Sequence, residues 1–295
     1  MTSPIFGRVL TAMVTPMTPA GAVDEDAVLA VADHLLAHSH DGIVVNGTTG
    51  ESATLTADES IRVIEIVASH VGDRAIVVAG VGSNDTAHSI DMARRAAAAG
   101  ARGLLVVTPY YNKPTQPGLV AHFNAIADAT DLPVLVYDIP GRTGIPIQTD
   151  TLLRLAEHPR IVAVKDAKGD LWAASHVMAA TDLQWYSGDD VLNLAHLAQG
   201  AVGVVSVVGH VAGDEYAAMI RAVEAGDLAT ARAIHHRLIP VVDALMNTSQ
   251  GAIMAKAALV ELGVIPSAFV RLPLVESPPE HLAKLREGLS QSGIR

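Results

Sequence analysis

The sequence predicts a closed parallel (β/α)8 barrel, a TIM barrel, carrying a helical C-terminal extension. Three observations support this. Short apolar runs of strand length recur eight times, longer helical patterns separate them, and the last ~70 residues have helical periodicity with little strand character. A doubly wound open sheet is the alternative, because sequence displays strand number more readily than closure. Half of the 295 residues are hydrophobic and only 17% are charged, which suits one large core and leaves apolar surface for a subunit interface.

The elements follow in order. Val9 to Val14 reads as the first strand, followed by a loop with Pro16, Pro19 and Gly21. Asp24 starts a helix running to about His38, with Val28, Val31, Leu35 and Leu36 on its apolar face. Gly42 to Val45 is strand two, and the helix after it, Thr56 to Val71, opens on a Thr56-x-x-Glu59 capping box. Strands three and four, Ala75 to Ala79 and Gly103 to Val107, flank a helix from Asp85 to Ala99. Val134 to Tyr137, Ile161 to Lys165, Leu183 to Ser187 and Val202 to Val205 are strands five to eight. Beyond them, Leu228 to Met246, Gln250 to Leu262 and Pro279 to Gln291 read as helices. The expected division is a barrel over 1–225 and a helical extension over 226–295, with no linker-like composition between them.

Composition removes several classes of function. A formal net charge of -11 argues against nucleic acid and acidic membranes as partners, so an anionic substrate needs local cationic help. There is no cysteine, which excludes disulfides, thiolate catalysis and Cys-based zinc sites. Met1 to Leu10 has no basic region leading into an apolar core, and no apolar run reaches membrane-spanning length. The expectation is a soluble cytoplasmic protein.

Active sites of parallel barrels sit at the carboxyl ends of the strands, so the loops there are read together. Strand six, Ile161-Val162-Ala163-Val164, runs straight into Lys165. An ammonium at the end of a buried strand must reach water or lose its charge. Taken alone, a lysine that snorkels to solvent is the favoured reading. Convergence of other chemistry alters that. Strand two ends in Asn46-Gly47-Thr48-Thr49-Gly50-Glu51-Ser52, whose backbone N–H groups and hydroxyls suit a carboxylate or phosphate. Tyr110, Tyr111 and Tyr137 fall in Pro-containing loops after apolar runs, and Arg142 can grip a carboxylate in bidentate fashion. An amine, phenols, threonines and an arginine on adjacent strand ends suit Schiff-base chemistry on a small keto acid.

GTTGES at 47–52, TPYYNKP at 108–114, YDIPGRTG at 137–144, VKDAKGD at 164–170 and SGDD at 187–190 together resemble the dihydrodipicolinate synthase family. The resemblance runs over nearly the whole chain with motif order and spacing preserved. GTTGE and the lysine alone mark only the wider superfamily. The resemblance implies a lysine-dependent aldolase-type barrel that condenses pyruvate with L-aspartate 4-semialdehyde, the first committed step of diaminopimelate and lysine biosynthesis. It implies that Lys165 forms the Schiff base with pyruvate and that Tyr137 donates and accepts protons beside it. Thr48 and Tyr111 complete a proton relay, with Tyr111 reaching in from a neighbouring subunit. Thr49 and the backbone at Val205 hold pyruvate, and Arg142 recognises the carboxylate of the second substrate. No metal or organic cofactor is implied. Tyr111 working in trans implies at least a dimer, and the family commonly forms a dimer of dimers, a homotetramer.

Regulated relatives bind lysine near GTTGES and the loop after strand three. Ser52, Ala53, Asn84 and Tyr110 could serve such a site, but Ala57, Ser60 and His88 fall where lysine-sensitive relatives carry two histidines and a glutamate. The expectation is weak or absent feedback inhibition by lysine, because the effector's amine loses its charge partner. Lys168 has no functional account from sequence. Within the superfamily, a lyase acting on N-acetylneuraminate or a 2-keto-3-deoxy sugar acid would share Lys165, Tyr137 and the threonines; Arg142 and the Tyr111-Asn112-Lys113-Pro114 run favour the synthase. A nicotinamide oxidoreductase is suggested by Ala79-Gly80-Val81-Gly82-Ser83-Asn84, but the third glycine is absent and no acid follows at the needed distance. A metal hydrolase could be argued from His34 and His38 at i, i+4 spacing, yet no Glu or third ligand accompanies them, and the adjacent His235 and His236 point different ways. A non-catalytic binding protein would have little reason to keep lysine, tyrosines and arginine together.

Overall fold

The computed structural model describes residues 3–294. Eight strands pair in parallel and in sequence order, β1 (Val9–Ala12), β2 (Gly42–Val45), β3 (Ile76–Gly80), β4 (Gly103–Val107), β5 (Val134–Asp138), β6 (Ile161–Asp166), β7 (Gln184–Ser187) and β8 (Gly203–Ser206). β8 hydrogen-bonds back to β1, with Leu10 opposite Val205, so the sheet closes and the open-sheet alternative falls. Around it lie α1 (Glu25–Ala37), α2 (Ala57–Val71), α3 (Thr86–Ala98), α4 (Gln116–Ala127), α5 (Pro140–Thr143), α6 (Thr149–Leu155), α7 (Leu171–Ala180), α8 (Asn193–Gln199) and α9 (Gly209–Glu224). α10 (Leu228–Val242), α11 (Gly251–Glu261) and α12 (Pro279–Gln291) complete the chain. Among the described residues no helix is long and apolar enough to cross a membrane.

Local signals account for these boundaries. Asp24 accepts from the Ala27 N–H and Thr56 from the Glu59 N–H, while the Glu59 carboxylate accepts from the Thr56 N–H at 2.9 Å, the reciprocal capping box the spacing predicts. One boundary needs correction. The expected helix from Leu228 to Met246 is α-helical only to Val242 and continues as a wider π-helical turn over Asp243–Asn247. Pro240 has no N–H to donate and loosens the ladder there, as a proline inside a helix must.

The strands have two apolar faces. Leu135 and Tyr137 of β5 join Phe6, Leu10, Val44, Val78, Leu105, Tyr186 and Val205 in a cluster that fills the barrel. Val134 and Val136 belong instead to the larger cluster between sheet and helices. Phe6, fully buried, plugs one end of the barrel; a side chain at Gly103 would strike its ring, so the start of β4 must be glycine. The registers of β5 and β6 slip once, with Val134 opposite Ile161 but Leu135 opposite Ala163, leaving Val162 as an extra residue. A third cluster joins Val9 and Val204 to α9, α10 and α12 through residues such as Ile220, Leu238, Leu285 and Leu289. α9 thus covers the seam where β8 meets β1, and the helical extension packs on α9.

Under that seam lies a histidine group. His40 Nε2 is 2.7 Å from the Thr11 hydroxyl, and its Nδ1 lies 2.9 Å from both the Leu35 and His38 carbonyls. His210 donates to the Val207 carbonyl and accepts from the Val14 N–H at 3.1 Å. His34 donates to the His210 carbonyl, its ring 4.6 Å from that of His38, which faces Asp214. Burial pushes His40 down to about 4 and His210 down to about 3. The unfolded chain takes up protons on these rings as pH falls below ~6.5 while the folded chain does not, so stability is present above that value and is lost toward the folded pKa values. We predict that the urea midpoint falls steadily between pH 6.5 and 4, by an amount equivalent to about 3 kcal/mol per ring across that window. H40N flattens that slope; a midpoint independent of pH in this window would contradict the assignment.

Candidate active site

One cavity of about 470 Å³ opens at the carboxyl ends of β2 to β5, a volume suited to small ligands. Thr48, Tyr110, Tyr137 and Arg142 line it. Beside it sits Lys165. Its Nζ lies 4.1 Å from the centroid of the Tyr137 ring, because β5 and β6 place Tyr137 directly opposite Lys165 and both side chains point into the barrel. Tyr137 is thus the penultimate residue of β5, which runs one residue beyond the expected end at Tyr137 before the loop begins.

Burial dominates the electrostatics. Lys165 is 4% exposed, and its amine is pushed down to about 7, chiefly by loss of water. The Asp190 carboxylate works against this shift and the Arg142 guanidinium adds to it. An ordinary lysine is neutral in about one molecule in two thousand at pH 7, whereas this one is neutral in about half. Burial also pushes the Tyr137 phenol up, so it stays protonated at neutral pH beside the amine.

The loops are held by specific bonds. Thr48–Gly50 form a single tight turn, bracketed by Asn46 and Glu51 in the left-handed region at φ 55° and 58°. The Thr15 hydroxyl donates to the Gly50 carbonyl at 2.8 Å, and Thr49 is buried in the turn. Gly80 and Gly82 look like part of a dinucleotide fingerprint, but their role here is clearance. A side chain at Gly80 would strike the Asn46 carbonyl, and one at Gly82 would meet the Val106 backbone at 3.0 Å. At β8, Asp190 accepts from the Ser206 hydroxyl and from the Val207 and Val208 N–H groups at 2.9 and 3.0 Å. That fixes the chain just beyond Val205, whose side chain faces the barrel interior.

Of the residues singled out in the sequence, Thr48, Tyr137 and Arg142 line the cavity, Lys165 lies against Tyr137, and Thr49 and Val205 are buried in the turn after β2 and in β8. Tyr111 is not brought there. It is 89% exposed, with φ 73°, and it is Tyr110 that lines the cavity of its own chain. Lys168 acquires a setting: its ammonium donates to the Ile147 carbonyl at 3.3 Å and lies near Asp138. Asp138 and Asp166 stand opposite each other on the outer faces of β5 and β6, both buried. Burial pushes Asp138 up to about 7, with the Ile147 N–H and Lys168 opposing. Sequence reading missed this pair, and also Glu51, which the cavity-side turn directs away from the opening. The cavity lining contains no carboxylate among the described residues, so Arg142 is its one permanent charge.

The amine's state can be read directly. We predict that reductive ¹³C-methylation yields one dimethyl-lysine resonance titrating near pH 7, absent from K165R; an ordinary lysine titration for that resonance would refute the burial argument.

The chain is matched over residues 5–292 by the model of the dihydrodipicolinate synthetase family. It is 59% identical to a 4-hydroxy-tetrahydrodipicolinate synthase from Kineococcus radiotolerans, over 98% of this chain and 94% of that one. Its fold superposes with a TM-score of 0.94 on a dihydrodipicolinate synthase from Cyanidioschyzon merolae with lysine bound, at 44% identity and covering 98% and 99% of the two chains. A dihydrodipicolinate synthase from Acinetobacter baumannii complexed with pyruvate gives the same TM-score of 0.94 at 35% identity, covering 99% and 100%.

Proposed function

The chain belongs to the dihydrodipicolinate synthetase family, and from that premise we propose that it is a 4-hydroxy-tetrahydrodipicolinate synthase, a lyase that condenses pyruvate with L-aspartate 4-semialdehyde through a lysine Schiff base. The observation that carries the residue assignment is the buried amine of Lys165 set against the Tyr137 ring, where burial lowers its pKa.

The neutral Lys165 amine adds to the keto carbon of pyruvate. The adduct loses the former carbonyl oxygen as water, leaving an imine. Tyr137 supplies the proton that lets this water leave, since its phenol is held protonated. Loss of a proton from the imine's methyl group gives an enamine, whose carbon attacks the aldehyde of the second substrate and forms the new carbon–carbon bond. The amino group of that substrate then adds to the imine carbon, closing the ring and releasing Lys165 as the free amine. Thr48 and Tyr111 pass protons between Tyr137 and solvent, Tyr111 from a second subunit, in keeping with its exposure in its own chain. Thr49 and the backbone at Val205 hold pyruvate, and Arg142 pairs with the carboxylate of the semialdehyde. The reading therefore includes a homo-oligomer of at least two subunits, a homotetramer by family habit, working in the cytoplasm. The catalytic barrel spans 1–225 and the extension 226–295.

Borohydride reduction in the presence of pyruvate tests the core of this reading. Peptide mapping is expected to place the adduct on Lys165; an adduct on another lysine, or none, overturns it. The trapping rate should rise with pH as Lys165 loses its proton near pH 7 and level off above ~8, whereas an ordinary lysine would keep climbing past pH 9. K165R should lose at least a thousandfold in turnover and Y137F about a hundredfold or more. Cleavage of a sugar acid without semialdehyde condensation would reassign the substrate.

Feedback by lysine is expected to be weak or absent. The cavity reaches Ser52, Ala53, Ala57, Ser60 and His88, yet offers no carboxylate to an effector's amine. Initial rates should therefore be unchanged by lysine below ~1 mM; half-inhibition under that concentration would contradict the argument.

A further inference from the structure

Every residue from Gly251 to Leu259 in α11 is buried, and one of them is charged. Lys256 is fully buried, in the midst of an apolar helix of the C-terminal extension. Its ammonium donates to the carboxylate of Glu51, also buried, and to the Phe269 carbonyl at 2.8 Å. The second oxygen of Glu51 accepts from the Arg271 N–H at 2.9 Å. The Arg271 guanidinium in turn donates to the Gly21 carbonyl at 2.7 Å, to the Thr54 carbonyl at 2.7 Å, and to both oxygens of Glu59. One cluster therefore binds α11 and the segment after it to the loop following β1, the loop following β2 and the first turn of α2.

A buried ion pair is a poor way to stabilise a fold, since apolar residues of similar shape serve as well or better. What it supplies is direction. Glu51 is the residue directly after the Thr48–Gly50 turn, in the left-handed region that side chains other than glycine rarely adopt. Its N–H closes the turn on the Thr48 carbonyl at 3.1 Å, and its own carbonyl accepts from the Thr54 N–H at 2.9 Å. With the backbone so committed, the carboxylate has one place to go, and Lys256 is there.

We propose that Lys256 is a positioning residue for catalysis, and that through Glu51 it holds the Thr48–Thr49 turn in the geometry that receives the carboxylate of pyruvate. This rests on the functional reading above, in which that turn holds pyruvate. Removing either partner leaves the other buried and unpaired, so the turn shifts to bring it water. The loss falls on pyruvate recognition and leaves the Lys165 amine intact.

The test compares wild type, E51Q, K256M and E51Q/K256M, each checked by circular dichroism and thermal melting at the assay temperature. E51Q is nearly isosteric and carries the test should K256M fail to fold. Each single variant should raise KM for pyruvate about tenfold and lower kcat as the Thr48 hydroxyl of the relay moves with the turn, while KM for the semialdehyde stays put. Borohydride trapping at Lys165 should weaken for pyruvate and be unchanged for acetaldehyde, which has no carboxylate. The double variant should be no worse than either single one, because the two residues act as a unit. Wild-type pyruvate KM in the folded single variants, or equal loss of kcat and both KM values in step with the folded fraction, overturns the proposal. A wild-type protein that forms no pyruvate adduct removes the functional reading, and this one with it.

Discussion

The amine of Lys165 is held where water cannot stabilise its charge, and much of the architecture follows from keeping it there. Lowering its pKa from 10.5 to about 7 corresponds to about 5 kcal/mol between the two protonation states. That is a large fraction of a domain's ordinary net stability of about 5–15 kcal/mol. The cost is tolerable only inside a core built for other reasons. Closure of eight strands creates that core, since β8 must find β1 before the space inside is dry. Phe6 at one end and Tyr186 opposite Lys165 on β7 fill it, leaving the other end open to ligands.

Orientation depends on a smaller feature. Side chains alternate along a strand, and a slip of one residue would aim Lys165 at the helices and Asp166 into the barrel. The extra residue Val162 sets the phase in which Ala163 and Lys165 face inward, level with Leu135 and Tyr137. The same phase leaves Asp138 and Asp166 side by side on the outer face. There Lys168 and the Ile147 N–H favour the charged form of Asp138, but burial outweighs them and pushes it up to about 7. Lys168, without a role in the reading of the sequence, thus sits against Asp138 in an acid pair created by the way β5 and β6 align.

Legibility of the sequence followed the range of the interaction involved. Local chemistry read well: the Thr56–Glu59 box and the Asp24 cap are bonds within four residues, and strand count led to the barrel. The register slip at Val162 did not, because four consecutive apolar residues carry no alternation to show where it breaks. The expected end of strand five, at Tyr137, falls one residue early, since Pro140 and Gly141 begin the turn only after Asp138 ends the strand. Lys165, Thr48 and Arg142 were legible because strand ends of one barrel share a mouth. The Asp138–Asp166 pair and Glu51–Lys256 join residues distant in sequence, and only the fold brings them within reach. A lone lysine in Gly251–Leu259 was still a signal, as a charge amid apolar residues needs a partner.

The extension is therefore more than apolar cover over α9. A purely hydrophobic contact holds two surfaces together without fixing the direction of any group, which suits α10 packed on α9 and α12 packed on α10. The loops at the mouth need direction if, as proposed, the turn at Thr48–Gly50 presents hydroxyls and N–H groups to the carboxylate of pyruvate. Charged hydrogen bonds supply that direction at the expense of desolvation. Their concentration at Glu51, Lys256, Arg271 and Glu59, on the border between extension and substrate loops, divides the labour between apolar contacts for attachment and ionic contacts for aim.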